Sequence, residues 1–156
     1  MSRVESILTH AEQICKANGA RLTVKRKQVL SSLLRSDCAL SAYELIDHCQ
    51  RHFGEKPPAM SVYRILDFLE QQALVHKLRL ANKYVACSHI TCSHEHAVPQ
   101  FLICSGCQKV QEISIKKQVM DELESNVEVA GYSLLSPQLE MNCLCDECHR
   151  QKAAVN

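Results

Sequence analysis

Apolar residues recur at helical spacing in four consecutive stretches of the first half of the chain. The first stretch ends at Asn18-Gly19, and a second helix is predicted to open after Thr23. A third opens at Ser41, because Ser41 and Glu44 have the spacing of a capping box. The fourth follows the prolines of "FGEKPP" and carries a predicted buried stripe of Val62, Ile65, Leu66, Leu69 and Ala73.

The pattern then changes from helical spacing to alternation. "LVHKLRL" and "KYVAC" alternate apolar and polar residues and predict a hairpin turning across Ala81-Asn82. Four helices followed by a hairpin is the order of a winged helix-turn-helix. Its recognition helix carries Tyr63 and Arg64. Arginine can read guanine, and tyrosine can contact a thymine methyl group or a phosphate. Phosphate contacts are expected from nearby basic residues, namely Lys25, Arg26, Lys27, Lys56 and Lys77.

The second half, from about Ser88, begins with a polar, His-rich loop. Two strands are predicted in "QFLIC" and "KVQEISI", then a helix in "KKQVMDELESNVEVA" that ends at Gly131, then a returning strand in "YSLLSPQLEMNCL". We therefore predict an α+β protein with a winged-helix domain over 1–87, a hinge loop over 88–99 and a small α/β domain over 100–156.

Composition narrows the class of protein. The chain has 156 residues and ordinary hydrophobic and charged fractions of 46% and 22%. It shows neither a signal peptide nor an apolar run long enough to span a bilayer, so we expect a soluble, cytoplasmic protein. Ten cysteines in a reducing compartment favour metal or redox chemistry over disulfides. Residues 1–80 carry a net charge of +4 and residues 81–156 of −3, which suggests different tasks for the two halves.

Two C-x-x-C pairs, Cys104/Cys107 and Cys145/Cys148, are the strongest chemical signal. Each such turn lets two thiolates converge on one ion, and two turns complete the tetrahedral Cys₄ set of structural Zn²⁺. An iron site of rubredoxin type and a pair of redox dithiols remain alternatives. No catalytic Cys/His signature, G-x-S-x-G or phosphate-binding glycine loop is present, so an enzyme is not expected. Cys15 and Cys49 on apolar helix faces and Cys38 in a loop are interpreted as structural. Cys143 is expected on a strand beside the C-x-x-C site, where standing in for a neighbouring ligand is the alternative.

A looser cluster of metal donors surrounds the hinge. It comprises His76, Cys87, His94, His96 and Glu112, with His89 and Cys92 nearby. Imidazole, thiolate and carboxylate together suit Zn²⁺, whereas a set without sulfur would favour iron or manganese. His76 and Cys87 belong to the two strands of the hairpin. We therefore expect a metal bound there to fix the first domain against the second, as in a sensor.

Several motifs in order resemble the ferric uptake regulator superfamily, and within it the zinc uptake regulator branch, over nearly the whole chain. They are the segments "RLTVKRKQVL", "SAYELID", "SVYRILDFLEQQALVHKL", "CSGCQKVQE" and "CDEC". The resemblance implies a homodimeric, metal-dependent repressor that binds a palindromic operator on double-stranded DNA and controls zinc uptake genes. It also implies that the second domain dimerises and that no membrane or small-molecule substrate is involved.

The resemblance also implies a role for each matching residue. Structural zinc is expected at Cys104, Cys107, Cys145 and Cys148. A second zinc, giving two per protomer, is expected at His76, Cys87, His96 and Glu112, with His94 as the alternative to His96. DNA contacts are expected from Tyr43, Ser61, Tyr63 and Arg64.

The sequence departs from the family pattern at three positions. Ser61 replaces Thr, and Ala73 and Gln108 replace glycines, for which we expect a modest backbone adjustment. The dense His run of iron sensors is missing, which favours a zinc sensor over an iron- or peroxide-sensing regulator of the same family. A Cys₄ zinc-binding interaction module without DNA binding is the alternative from another class.

Overall fold

A computed structural model describes residues 1–92 and 98–155. The chain divides into two compact units, Met1–Ser93 and His94–Asn156. The first contains four helices and a hairpin, and the second contains a three-stranded sheet and two helices. The predicted α+β class, with a winged helix followed by a small α/β unit, is confirmed.

Three of the four helices of the first unit begin at a capping side chain, and the starts after Thr23 and Ser41 agree with the prediction. Ser2 and Ser41 each form a capping box, and the Thr23 hydroxyl accepts a hydrogen bond from the Arg26 backbone amide. The four helices are α1 (Arg3–Ala17), α2 (Val24–Leu34), α3 (Ala42–Phe53) and α4 (Ala59–Gln71). Their apolar faces meet in one core that includes Ala11, Leu30, Leu45, Val62 and Leu66. Cys15 and Cys49 are buried in this core as predicted.

The wing is the hairpin of β1 (Val75–Leu78) and β2 (Lys83–Ala86), which pair antiparallel with Leu78 opposite Lys83. A contact that the sequence did not predict extends this sheet: Leu40 and Tyr84 exchange two backbone hydrogen bonds of 2.9 and 2.8 Å. The segment before α3 is thereby tied to the wing, which sets the position of α3 relative to the hairpin.

The end of α4 differs from the prediction. The predicted buried stripe includes Ala73, but in the structure Ala73 is exposed and lies beyond the helix with φ +58°. The Ala73 amide donates to Glu70 O at 3.0 Å and the Leu74 amide to Leu69 O at 2.9 Å, which is the Schellman pattern. Leu69 and Leu74 are fully buried on either side. The expected backbone adjustment is absent, because Ala73 keeps the left-handed conformation that usually requires glycine.

The second unit is built on the sheet order β4-β3-β5. Its elements are β3 (Gln100–Cys104), β4 (Val110–Ile113), α5 (Lys117–Val129), β5 (Glu140–Cys143) and α6 (Asp146–Val155). Strands β3 and β4 and helix α5 form where they were predicted, whereas only the end of the predicted returning strand, Glu140–Cys143, pairs as β5. Helix α6 was not predicted. Strand β3 pairs antiparallel with β4 and parallel with β5, and the Gln100 side chain donates to Pro137 O at 2.8 Å.

Helix α5 carries the predicted apolar face but has no buried residue. Met120, Leu123 and Val127 are half-buried, and Val119 is exposed. Within the described residues, no helix has the length and hydrophobicity required to cross a membrane.

Candidate metal centre

The two C-x-x-C pairs converge because of the parallel pairing of β3 and β5. Cys104 is the last residue of β3 and lies opposite Cys143, the last residue of β5. Parallel strands end at the same edge of a sheet, so the chain after each strand emerges at one place. Cys107 follows in the turn after β3, Cys145 precedes α6, and Cys148 lies in the first turn of α6.

The four sulfur atoms lie within 4.8 Å of one another, with Cys107 Sγ and Cys145 Sγ 3.9 Å apart. Tetrahedral zinc with Zn–S bonds of about 2.3 Å places its sulfurs about 3.8 Å from one another. A disulfide needs about 2.05 Å, so this separation is that of metal ligands rather than of an oxidised pair. None of the ten cysteines, all of which lie among the described residues, forms a disulfide. The donor set and its spacing therefore fit a Cys₄ zinc site.

The electrostatics of this cluster are uneven. The Cys145 backbone amide donates to Cys104 Sγ at 3.3 Å, and this and other backbone amides lower the pKa of the Cys104 thiol to about 6. The neighbouring Cys145 side chain, together with burial, raises the pKa of Cys148 to about 12. Four adjacent thiolates repel one another unless a cation is shared between them. A divalent soft-metal ion supplies that charge.

Gly106, between the two cysteines of the first pair, determines how closely this turn approaches α6. A Cβ atom on Gly106 would lie 2.8 Å from Cys148 Sγ and 3.0 Å from Cys148 Cβ. Only a residue without a side chain allows this approach. Gln108, two residues further along the chain, has φ +64°. Like Ala73, it is a non-glycine residue that keeps a left-handed conformation. Gly106 is not among the functional residues predicted from the sequence.

The wing carries half of the second predicted cluster. His76 lies on β1 and Cys87 directly follows β2, and their donor atoms are within 4.8 Å of each other. The Cys87 thiol is buried, and the His89 backbone amide donates to it at 3.4 Å. The Cys87 amide donates to Leu74 O at 2.9 Å, which anchors the ligand to the start of the wing.

The remaining predicted ligands of this cluster lie in other parts of the chain. Glu112 is on β4 of the second unit, opposite Phe101. His94 and His96 lie outside the described residues, so the choice between them stays a prediction. Cys92 is exposed in the loop after the wing.

The residues predicted to contact DNA lie on α3 and α4. Tyr43 and Arg64 are exposed, and Ser61 is half-buried near the start of α4. Tyr63 is half-buried and packs against the core. Among the candidate phosphate contacts, Arg26 stacks 3.6 Å above the Phe68 ring and Lys27 pairs with Glu12 at 2.9 Å.

Comparison with known proteins agrees with this architecture. The sequence matches the ferric uptake regulator family over residues 17–142. The zinc uptake regulation protein of Escherichia coli is 36% identical over 145 residues, which cover 92% of this chain and 82% of that protein. The ferric uptake regulation protein of Helicobacter pylori is 29% identical over 157 residues and 97% of each chain.

Two solved structures are similar over nearly their whole length. A zinc uptake regulator complexed with zinc and DNA has a TM-score of 0.82 at 30% identity, covering 98% of this chain and 99% of that one. The crystal structure of holo XcZur has a TM-score of 0.75 at 33% identity, covering 94% and 99%. The match spans both units, including the winged helix and the sheet that carries the C-x-x-C pairs. The chain is therefore a member of the ferric uptake regulator family.

Proposed function

We propose that this chain is a zinc-responsive transcriptional repressor that binds a palindromic operator as a metal-loaded homodimer and controls zinc uptake genes. The observation that carries the proposal is that metal donors are built into the wing of the DNA-binding unit. His76 lies on β1 of the hairpin and Cys87 directly follows β2, with donor atoms within 4.8 Å of each other. An imidazole beside a thiol is a donor pair that suits zinc. Relatives named as zinc regulators, one of them solved with zinc and DNA, support the same reading.

Two zinc ions per protomer are proposed, with different tasks. The structural ion is held by Cys104, Cys107, Cys145 and Cys148. The regulatory ion is held by His76, Cys87, His96 and Glu112, with His94 as the alternative to His96. Zinc supplies a tetrahedral Lewis-acid centre whose binding energy holds its ligands together.

The regulatory ligands are drawn from three proposed segments: the winged-helix domain over 1–87, the hinge over 88–99 and the dimerisation domain over 100–156. Binding at residues from all three restricts the orientation of the DNA-binding domain. Zinc then raises operator affinity to the extent that it binds the DNA-competent state more tightly than the open state.

The DNA contacts are proposed for the start of α4 and of α3. N-terminal residues of a recognition helix reach base edges in the major groove, and two such helices in a symmetric dimer match two half-sites of a palindrome. Arg64 is exposed on α4, and Tyr43 is exposed in the first turn of α3. Ser61 and Tyr63 flank the buried Val62 and are proposed to position or contact the operator.

A homodimer is proposed to cover the apolar side chains that the second unit exposes. Val119, Val129, Tyr132 and Leu135 are exposed by 51, 86, 74 and 96%. Helix α5 of this unit has no buried residue. Several exposed apolar side chains in so small a unit are typical of a surface that a second subunit covers.

The test compares three serine variants of the purified protein by zinc analysis, size-exclusion elution and operator gel shift in buffered zinc. Cys87→Ser is expected to keep one zinc and the dimer but to lose zinc-dependent retardation of operator DNA. Cys145→Ser is expected to lose the structural zinc, with reduced helicity and a monomeric elution. Cys38→Ser, which changes a half-buried thiol outside both clusters, is the matched control and is expected to behave as the parent.

Specific outcomes would contradict the proposal. A Cys87→Ser protein with normal zinc response would remove the sensor assignment. Retardation induced by Fe²⁺ but not by Zn²⁺ would favour an iron sensor. Failure to retard any promoter fragment at saturating zinc would favour a Cys₄ interaction module.

A further inference from the structure

Two imidazoles lie together on α3, away from both cysteine clusters. His48 and His52 are one helical turn apart, and their ring centroids are 4.1 Å apart with planes inclined by 30°. His48 is half-buried and His52 is exposed. Residues at i and i+4 share one face of a helix, so both rings lie on the same side of α3.

The hydrogen bonds of His48 determine which of its ring nitrogens is available. The Ser32 hydroxyl donates its one hydrogen to Gln28 O at 3.0 Å. The same oxygen is 3.0 Å from His48 Nδ1, so it accepts a hydrogen bond from the protonated Nδ1. Neutral His48 is therefore the Nδ1–H tautomer, and its Nε2 carries a lone pair.

This arrangement is the one that metal-binding histidines use. A ligating imidazole usually donates its other N–H to a protein acceptor, which holds the ring and raises its basicity. Ser32 is fully buried between α2 and α3, so the acceptor is rigid. The imidazole ring of His48 would therefore be oriented for metal binding before an ion arrives.

The spacing of the rings suits a chelate. Two nitrogens bound tetrahedrally at 2.0–2.1 Å are about 3.4 Å apart. The ring centroids are 4.1 Å apart, so the exposed His52 can bring a ring nitrogen to chelating distance of His48 Nε2 by rotating its side chain. The pair also lies in the last turns of α3, where the helix dipole favours a cation.

The surrounding charges limit the affinity. Arg35 and Arg51 lie near His48, and their positive charges disfavour a cation bound at its ring. Glu44, one turn before His48, pairs with Lys83 at 3.0 Å and accepts from the Ser41 amide, so its carboxylate is already engaged. The pair therefore supplies two protein ligands, and water completes the coordination.

We propose that His48 and His52 form a binding site for a divalent transition-metal ion of the class that prefers imidazole, such as Ni²⁺, Cu²⁺ or Zn²⁺. The site is of low affinity, lies within the winged-helix unit and uses none of the ligands of the two zinc sites proposed above.

The test uses Ni²⁺, which does not oxidise thiols, added to the zinc-loaded full-length protein. Paramagnetic broadening of the imidazole and backbone signals is followed by NMR. The main variant is His52→Ala, because His52 is exposed and makes no hydrogen bond on which the core depends. His10→Ala is the matched control. His10 is an exposed helical histidine whose Nδ1 donates to Ser6 O at 3.0 Å, but it has no second imidazole at i+4.

We expect broadening centred on α3 in the parent and in His10→Ala, and affinity weakened by about tenfold or more in His52→Ala, because the second imidazole acts at high effective concentration. Ser32→Ala is expected to weaken binding about tenfold, because the ring loses its acceptor. Equal affinity in parent and His52→Ala would overturn the proposal, as would broadening at His10 equal to that at α3. The variants leave the ligands of the two proposed zinc sites unchanged, so neither result bears on the proposed regulatory function.

Discussion

Replacing Ala73 by glycine is expected to stabilise the winged-helix unit, although the change removes a methyl group. Ala73 is the residue after the C-cap of α4 and has φ +58°. A left-handed conformation costs an L-residue about 1–2 kcal/mol. Glycine adopts it freely but adds about 0.4–1 kcal/mol of unfolded-state entropy. Because Ala73 is exposed, no packing is lost. Relief of the left-handed strain exceeds the added unfolded-state entropy, so the free energy of unfolding should rise by about 0.5–1 kcal/mol.

The assay is thermal unfolding of the zinc-loaded protein followed by far-UV circular dichroism, to which the four helices of the first unit contribute strongly. For a domain of this size the expected rise in Tm is about 2–6 °C. Ala17→Gly is the matched control, since Ala17 is exposed but lies within helix α1. Ala17 is the last residue of α1, where glycine costs less than in the helix interior, so this change should lower stability by up to about 0.5 kcal/mol. If Ala73→Gly lowers Tm as Ala17→Gly does, residue 73 is not left-handed and the argument is wrong.

Three further perturbations test other parts of the structure. Gly106→Ala should weaken zinc binding at the proposed Cys₄ site under mild chelation, because its Cβ would lie 2.8 Å from Cys148 Sγ; zinc retention equal to the parent would contradict the close approach. Ser41→Ala should destabilise the first unit by about 1 kcal/mol by removing the α3 capping box, measured as a lower Tm; an unchanged Tm would show that the cap contributes nothing. Zinc rebinding by stripped protein, followed with a colorimetric chelator, should slow as pH falls through about 6. The pKa of Cys104 is lowered to about 6, so its metal-binding thiolate is present above that pH and lost below it. A rate independent of pH between 7 and 5 would count against this.

Local features were predictable because the forces that set them act within a few residues. Helical spacing predicted α1 to α4, the Ser41 capping box predicted the start of α3, and alternation predicted the wing, since helix and strand periods follow from backbone geometry alone. Helix α6 was missed because its sequence lacks an apolar stripe; acidic residues in its first turn, Asp146 and Glu147, were the available signal. The C-x-x-C spacing predicted two metal-binding turns for the same local reason.

The sequence by itself therefore determined which residues could bind metal and which segments would form helices. Only the tertiary structure decided how they meet. Parallel pairing of β3 with β5 brings Cys104 and Cys145 together across residues distant in the chain, and Gly106 allows α6 to approach. The buried Ser32, on a different helix, selects the tautomer of His48. Such contacts depend on packing between elements, which no local periodicity encodes.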